Sequence, residues 1–195
     1  MLSAISQQMA DYLIENKVIV PEDKPIYIYG IEQVILIGIN ICTTLVLGMF
    51  FNKLLASLIF MMAYIPLRSY AGGYHAKTRI RCYLFSVGML IVCFMGIDLL
   101  GKSQGIGNLL LCIALGIIVT LVPVQDTNKP LSLNEKRVFK KIALIILSLL
   151  LVMMIMFSIL GNQEIVITLK VVIISVGVMV TLGQIKNYIG VRQTD

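Results

Sequence analysis

The sequence predicts an all-α, polytopic membrane protein with about six transmembrane helices preceded by an N-terminal amphipathic helix. Three observations carry that expectation. Of its 195 residues 58% are hydrophobic and only 13% are charged, with a mean hydropathy of +0.95, far too apolar for a water-soluble surface. The apolar runs are continuous in Leu, Ile, Val and Met and lack the alternation that the strands of a membrane barrel need. The polar residues gather in short segments between those runs, as they would in a single integral membrane domain over 1–195.

From Leu2 to Val18, Leu2, Ile5, Met9, Tyr12 and Leu13 recur at three- or four-residue intervals with Gln7, Gln8, Asp11 and Glu15 between them. This is an amphipathic helix, packed on the bundle or lying in the interface. It has no basic n-region ahead of a continuous apolar core, so targeting is expected to rest on the first internal span rather than on a cleavable signal. Pro21 and Pro25 punctuate the connector that follows.

Residues 26–51 are long enough for a hydrocarbon core of ~30 Å, which takes about 20 helical residues. Glu32 in this run has two readings: an interfacial carboxylate paired with a loop arginine, or a group that faces the polar segment described below. The run 54–67 is short for a crossing, and 83–100, 106–124, 142–160 and 165–183 complete the six spans. Residues 125–141 read as a basic loop, and snorkelling to the nearby surface is the economical explanation of Lys170.

Lys and Arg are retained on the cytoplasmic side in short loops. Lys17 and Lys24, then Arg68, Lys77, Arg79 and Arg81, then Lys129, Lys136, Arg137, Lys140 and Lys141, then Lys186 and Arg192 all fall on one side, against Lys53 and Lys102 on the other. Both termini are therefore expected in the cytoplasm. The net charge of +6 belongs to this topology pattern and to lipid headgroups, not to nucleic acid. Cys42, Cys82, Cys93 and Cys112 have no metal-ligand spacing, so neither a metal centre nor a disulfide framework is expected, and Cys42, Cys93 and Cys112 read as small core residues.

One stretch resists a purely structural reading. RSYAGGYHAKTRIRCY, from Arg68 to Tyr83, holds the only histidine and places Cys82 seven residues after His75. A thiolate attacks carbonyl carbon well and a thiol poorly, so a nucleophilic cysteine needs a base or a cationic surrounding. His75 is a candidate base, and Lys77, Arg79 and Arg81 supply cations. The plainer alternative is packing for Cys82 and an interfacial hydrogen bond for His75, and at arbitrary spacing it is the commoner one.

Seven residues along a straight helix span about 10 Å, too far for a direct hydrogen bond of ~3 Å. A catalytic pair therefore requires the segment to be bent or partly unwound, which Gly72 and Gly73 permit. An amide near those glycines is also a candidate oxyanion donor, although a plain turn is their commoner role. Glu32, Ser69 and Asp126 are the candidates for orienting His75. The basic loop serves either as topology anchor or, through Lys129, Lys136 and Arg137, as a docking patch for an acidic peptide.

Arg68, Gly72, Gly73, His75 and Cys82 in RSYAGGYHAKTRIRC, with NKPL at Asn128 to Leu131 and the six-span layout, resemble the accessory gene regulator protein B (AgrB) family of Gram-positive bacteria. That resemblance covers nearly the whole chain. It implies a membrane cysteine endopeptidase that processes a short quorum-sensing propeptide of the AgrD type, with Cys82 as nucleophile, His75 as general base, and Arg68 and Gly73 supporting the site. It implies no cofactor, and with the small size of the bundle it leads us to expect a homodimer. The competing classes are a small multi-span transporter, with Glu32, Arg68 and His75 lining a path, and a non-enzymatic scaffold in which Cys82 is dispensable.

Overall fold

The computed structural model describes residues 2–74, 76, 78–125 and 132–192. Seven α-helices follow one another: α1 (Leu2–Glu15), α2 (Lys24–Phe50), α3 (Leu54–Ala71), α4 (Arg79–Lys102), α5 (Gln104–Leu121), α6 (Leu133–Ile159) and α7 (Gln163–Arg192). Six of them, α2 to α7, are long and apolar enough to cross a membrane. The described residues hold no strand, only an isolated parallel bridge between Gly72 and Val124. The chain divides into two compact units, Met1–Thr43 and Thr44–Asp195.

In the first unit α1 stops three residues earlier than its hydrophobic pattern suggests. Lys17 turns left-handed (φ 55°), and the Val18 and Lys17 amides donate to the carbonyls of Leu13 and Ile14, a Schellman ending without the usual glycine. The buried face of α1 is Ser6 and Ala10, one turn apart, while Ile5, Met9 and Tyr12 stay about half exposed or more. Small residues thus make the internal contact and leave the apolar stripe outward, as a helix lying in a membrane interface requires. Asp11 of α1 pairs with Lys24 at the start of α2. In α2 the Asn40 amide and Thr43 hydroxyl donate to the carbonyls of Leu36 and Ile39, so their polarity is absorbed by their own helix.

In the second unit α7 is the central element, packing against α3, α4, α5 and α6. It is predominantly apolar through its middle, and Leu169, Val172, Ile173, Val176 and Val180 are fully buried. Phe60 and Leu67 of α3, Phe94 of α4, Ile118 of α5 and Leu147 of α6 close around it. Lipid is as apolar as these side chains, so close packing rather than exclusion of water holds the helices together. One site of close approach is Gly177, where a Cβ would lie 3.0 Å from that of Ala114.

Four boundaries differ from the sequence reading. The short run 54–67 belongs to an 18-residue helix that passes through Pro66 and carries Arg68 to Ala71 in its last turn. A proline is tolerated here because it costs one backbone bond, and a span already apolar on both sides gains a full extra turn of length. Helix α4 begins at Arg79, so Cys82 lies inside a helix rather than ahead of one. The supposed loop 125–141 is helical from Leu133, because Ser132 and Glu135 form a capping box: the Glu135 amide donates to Ser132 Oγ at 3.3 Å, and the Ser132 amide to the Glu135 carboxylate at 2.8 Å. The last helix extends to Arg192, and its membrane-spanning part to Ile189. Cys93 is buried as expected, but Cys42 and Cys112 are exposed on their helices.

Candidate active site

The site forms where α3 ends, α4 begins and α7 passes behind both. Gly72 closes α3 with its amide on the Arg68 carbonyl and a left-handed φ of 69°. The chain then runs extended alongside Val124: the Val124 amide donates to Ala71 O at 3.0 Å and the Gly73 amide to Val124 O at 3.2 Å. One residue further the Tyr74 amide donates to Met179 O, in the middle of α7, at 2.9 Å.

Three glycines make this threading possible. A Cβ on Gly72 would lie 2.0 Å from Val124 O, and one on Gly73, whose φ is 125°, would lie 2.6 Å from Met179 O. From the other side, a Cβ on Gly183 would lie 2.5 Å from the Gly73 carbonyl carbon and 2.7 Å from the Tyr74 nitrogen. Backbone meets backbone here, and no rotamer change can relieve a side chain placed between them. The Gly72 and Gly73 amides are both committed, to Arg68 and Val124, which removes them as oxyanion donors in this arrangement.

Tyr74 is held from every side. Its carbonyl accepts from Arg68 Nη2 at 2.6 Å, its ring meets that of Phe85 at 5.1 Å, and Lys186 Nζ lies 5.7 Å over the ring centre. The residue immediately before His75 is therefore fixed at its amide, its carbonyl and its side chain. His75 itself lies outside the described residues, as do Lys77, Asp126 and Lys129. What is visible of the segment has the required break: helix ends at Ala71 and resumes at Arg79.

Cys82 occupies the first turn of α4. Thr78, in extended geometry, caps that helix by accepting from the Arg81 amide at 3.3 Å, and the Cys82 amide makes an early helical bond to Thr78 O at 3.0 Å. Within a turn of the helix start the positive end of the backbone dipole favours negative charge. The thiol is half-buried and lies on the wall of an open cleft of about 410 Å³, which Arg68, Tyr64, Tyr74, Phe85 and Ser86 also line. Ser86 Oγ, one turn on, donates to the Cys82 carbonyl at 3.0 Å. The volume is that of a small-ligand site, roughly 300–1,000 Å³.

The other sequence candidates are placed differently. Glu32 is buried within the N-terminal unit, where the Ser6 hydroxyl lies 3.4 Å from its carboxylate. Ser69 lines the Cys82 cleft, but its hydroxyl donates to Ile65 O at 2.8 Å. Lys136 and Arg137 sit in the first turns of α6, beside the edge-on contact of Tyr70 with Phe139, and neither forms part of the cleft wall. Tyr64, Tyr74, Ser86 and Gly183 were not foreseen. Tyr64 and Ser86 had a local signal, each standing four residues from a named one, Arg68 and Cys82, and hence on the same helix face. Gly183 had none, because its partner is more than a hundred residues away in sequence.

Fold and site together define a six-span helical membrane protein that presents a cysteine in an open cleft, shared with an arginine, at one end of its bundle. A family profile described as Accessory gene regulator B matches residues 6–185, and the chain belongs to that family. It is 29% identical over 146 residues to Putative AgrB-like protein 2 of Clostridium perfringens (strain 13 / Type A), covering 70% of this chain and 67% of the relative. It is 30% identical over 127 residues to Putative AgrB-like protein of Clostridium perfringens (strain SM101 / Type A), covering 60% of this chain and 58% of that one. No solved structure matches.

Proposed function

We propose that the protein is a membrane cysteine endopeptidase that removes the C-terminal tail of a short autoinducer propeptide and lets the remainder close into a thiolactone or lactone for quorum sensing. The observation that carries this reading is the setting of Cys82: a half-exposed thiol at a helix start, on a cleft that Arg68 and the pinned Tyr74 also line.

In this mechanism the Cys82 sulfur attacks the scissile carbonyl while His75 takes the thiol proton. The tetrahedral oxyanion lies in reach of the Arg68 guanidinium, which fans several donors from one planar group. As the intermediate collapses, the C–N bond breaks, His75 returns the proton to the leaving amine, and the tail departs, leaving a thioester on Cys82. A thiol or hydroxyl of the substrate then attacks that thioester, forming the ring and releasing Cys82. Keeping water from the thioester is essential, and a cleft at the edge of a bilayer serves that end. Arg68 at the end of α3, Arg81 at the start of α4, Lys136, Arg137, Lys140 and Lys141 in the first turns of α6 and Lys186 near the end of α7 share the site end of the bundle, against Lys102 and Lys170 at the other, which supports placing the site end, and both chain termini, in the cytoplasm. The same charges suit an acidic tail. A homodimer is part of this proposal.

The test is to co-express the cognate propeptide with wild type, Cys82→Ser and His75→Ala and to follow its mass. Wild type should yield the shortened, cyclised product and both variants should leave the propeptide intact. Continued cleavage by a correctly inserted Cys82→Ser protein would overturn the proposal.

A further inference from the structure

At the end of the bundle away from Cys82, the start of α5, the end of α6 and the start of α7 enclose a second cleft, of about 380 Å³. Its polar wall is Gln104 and Asn108 of α5, Ser158 of α6, and Gln163 and Lys170 of α7. Leu111, Met154 and Ile155 carry the wall about one turn further into the bundle, and Ile159 and Val166 add apolar surface beside the polar groups. The peptide-processing mechanism uses none of them.

Lys170 stands seven residues into α7, about 10 Å from the helix start at ~1.5 Å per residue. Side chains on a helix lean toward its N-terminus, so Lys170 climbs toward that end, and its Nζ donates to Asn108 Oδ1 at 2.7 Å. An amide oxygen is a neutral partner and leaves the positive charge uncancelled. With its oxygen taken, the Asn108 amide presents its NH₂ donors. The only carboxylate in the first turn of α7, Glu164, is exposed and outside the cleft wall, and Asp98 at this end is held by Lys53. The start of α5 adds to the field, since its N-cap Ser103 makes no side-chain bond to the helix amides.

We propose that this cleft binds the phosphodiester headgroup of an anionic glycerophospholipid, phosphatidylglycerol being the type, from the leaflet at this end of the bundle. Lys170 and the Asn108 amide meet the phosphate, Gln104, Gln163 and Ser158 meet the headgroup hydroxyls, and the first methylenes of the acyl chains follow the apolar wall. The depth of Lys170, the uncancelled charge and the apolar wall that adjoins and underlies the polar groups all match a molecule that joins an anionic head to hydrocarbon chains.

The full chain, purified in detergent with equal phosphatidylglycerol and phosphatidylcholine, would be examined by native mass spectrometry for retained lipid. Wild type should keep one phosphatidylglycerol in preference to phosphatidylcholine, and Lys170→Gln should lose it by about tenfold or more, the worth of a charge-assisted hydrogen bond. Lys170→Arg should retain it. Ser158→Phe, which fills the cleft and leaves Lys170 in place, should also evict it and serves if Lys170→Gln does not insert. Equal retention by wild type and a folded Lys170→Gln, or no preference between the two lipids, overturns the site. Displacement of the lipid by millimolar inorganic phosphate would assign the cleft to free phosphate and overturn the lipid as its ligand.

Discussion

Gly183 and Arg68 are the residues on which the geometry of the site turns. A methyl group on Gly183 meets the backbone of Gly73 and Tyr74 at 2.5–2.7 Å, so the extended segment must lift off α7 and lose the bond from the Tyr74 amide to Met179. Gly183→Ala should therefore cost about 1–3 kcal/mol of stability, as overpacking does, and lower cleavage with it. Gly116→Ala, where nothing lies within 4 Å, should be neutral or stabilising by up to about 1 kcal/mol. Equal thermal unfolding of the two variants would show that the close approach does not matter. Arg68→Lys keeps the charge but not the planar fork that reaches the Tyr74 carbonyl and lines the cleft. Losing a hydrogen bond from a charged group, about 1.5–3 kcal/mol, predicts a fall in propeptide cleavage of roughly ten- to a hundredfold with insertion unchanged. Wild-type rates in Arg68→Lys would mean that a point charge suffices.

Among the elements, α6 shows how a local signal can be outweighed by composition. Ser132-Leu133-Asn134-Glu135 is a helix-start signature, yet the basic residues after it read as a loop because charge in a membrane protein is associated with connectors. The capping box lets the helix begin outside the apolar run, so Lys136 and Arg137 project from a rigid element. Ser132→Ala should cost about 1 kcal/mol and speed hydrogen exchange in the first turn of α6 while leaving the apolar part protected. Uniform exchange along α6 in that variant would contradict a local cap. Helix α3 is the complementary case: Arg68 and Ser69 looked like the end of the apolar run, but backbone bonds and the Ser69 hydroxyl on Ile65 O carry the helix to Ala71. The break after Gly72 was legible because the glycine pair permits it and a catalytic pairing of His75 with Cys82 would need it. Where the chain goes after the break was not, because that depends on Val124 and Met179.

For the whole molecule, the distribution of charge and the two clefts give the bundle opposite ends with different chemistry. Among the described residues of the second unit, most of the cations lie at the Cys82 end, and the other end has Lys102, Lys53 held by Asp98 and Lys170 held by Asn108. If the basic end faces the cytoplasm, a cysteine introduced at Asn134 should react with a membrane-impermeant maleimide only after cells are permeabilised, whereas one at Lys102 should react in intact cells. The reverse pattern would invert the topology and place peptide cleavage outside.

The sequence by itself determined the membrane class, the number and order of spans and the segment we propose for the chemistry, because each of these follows from local composition, helical length and the spacing of Cys82 from His75. It also carried the family resemblance, through a motif contiguous in the chain. Only the tertiary structure decided that Gly183 is the floor under Gly73, that Arg68 pins Tyr74, that the glycine amides are already occupied, and that Lys170 stands over a cleft. These are contacts between positions far apart in the chain or between backbones. They depend on where helices pass one another, and neither hydrophobic periodicity nor residue type encodes that directly.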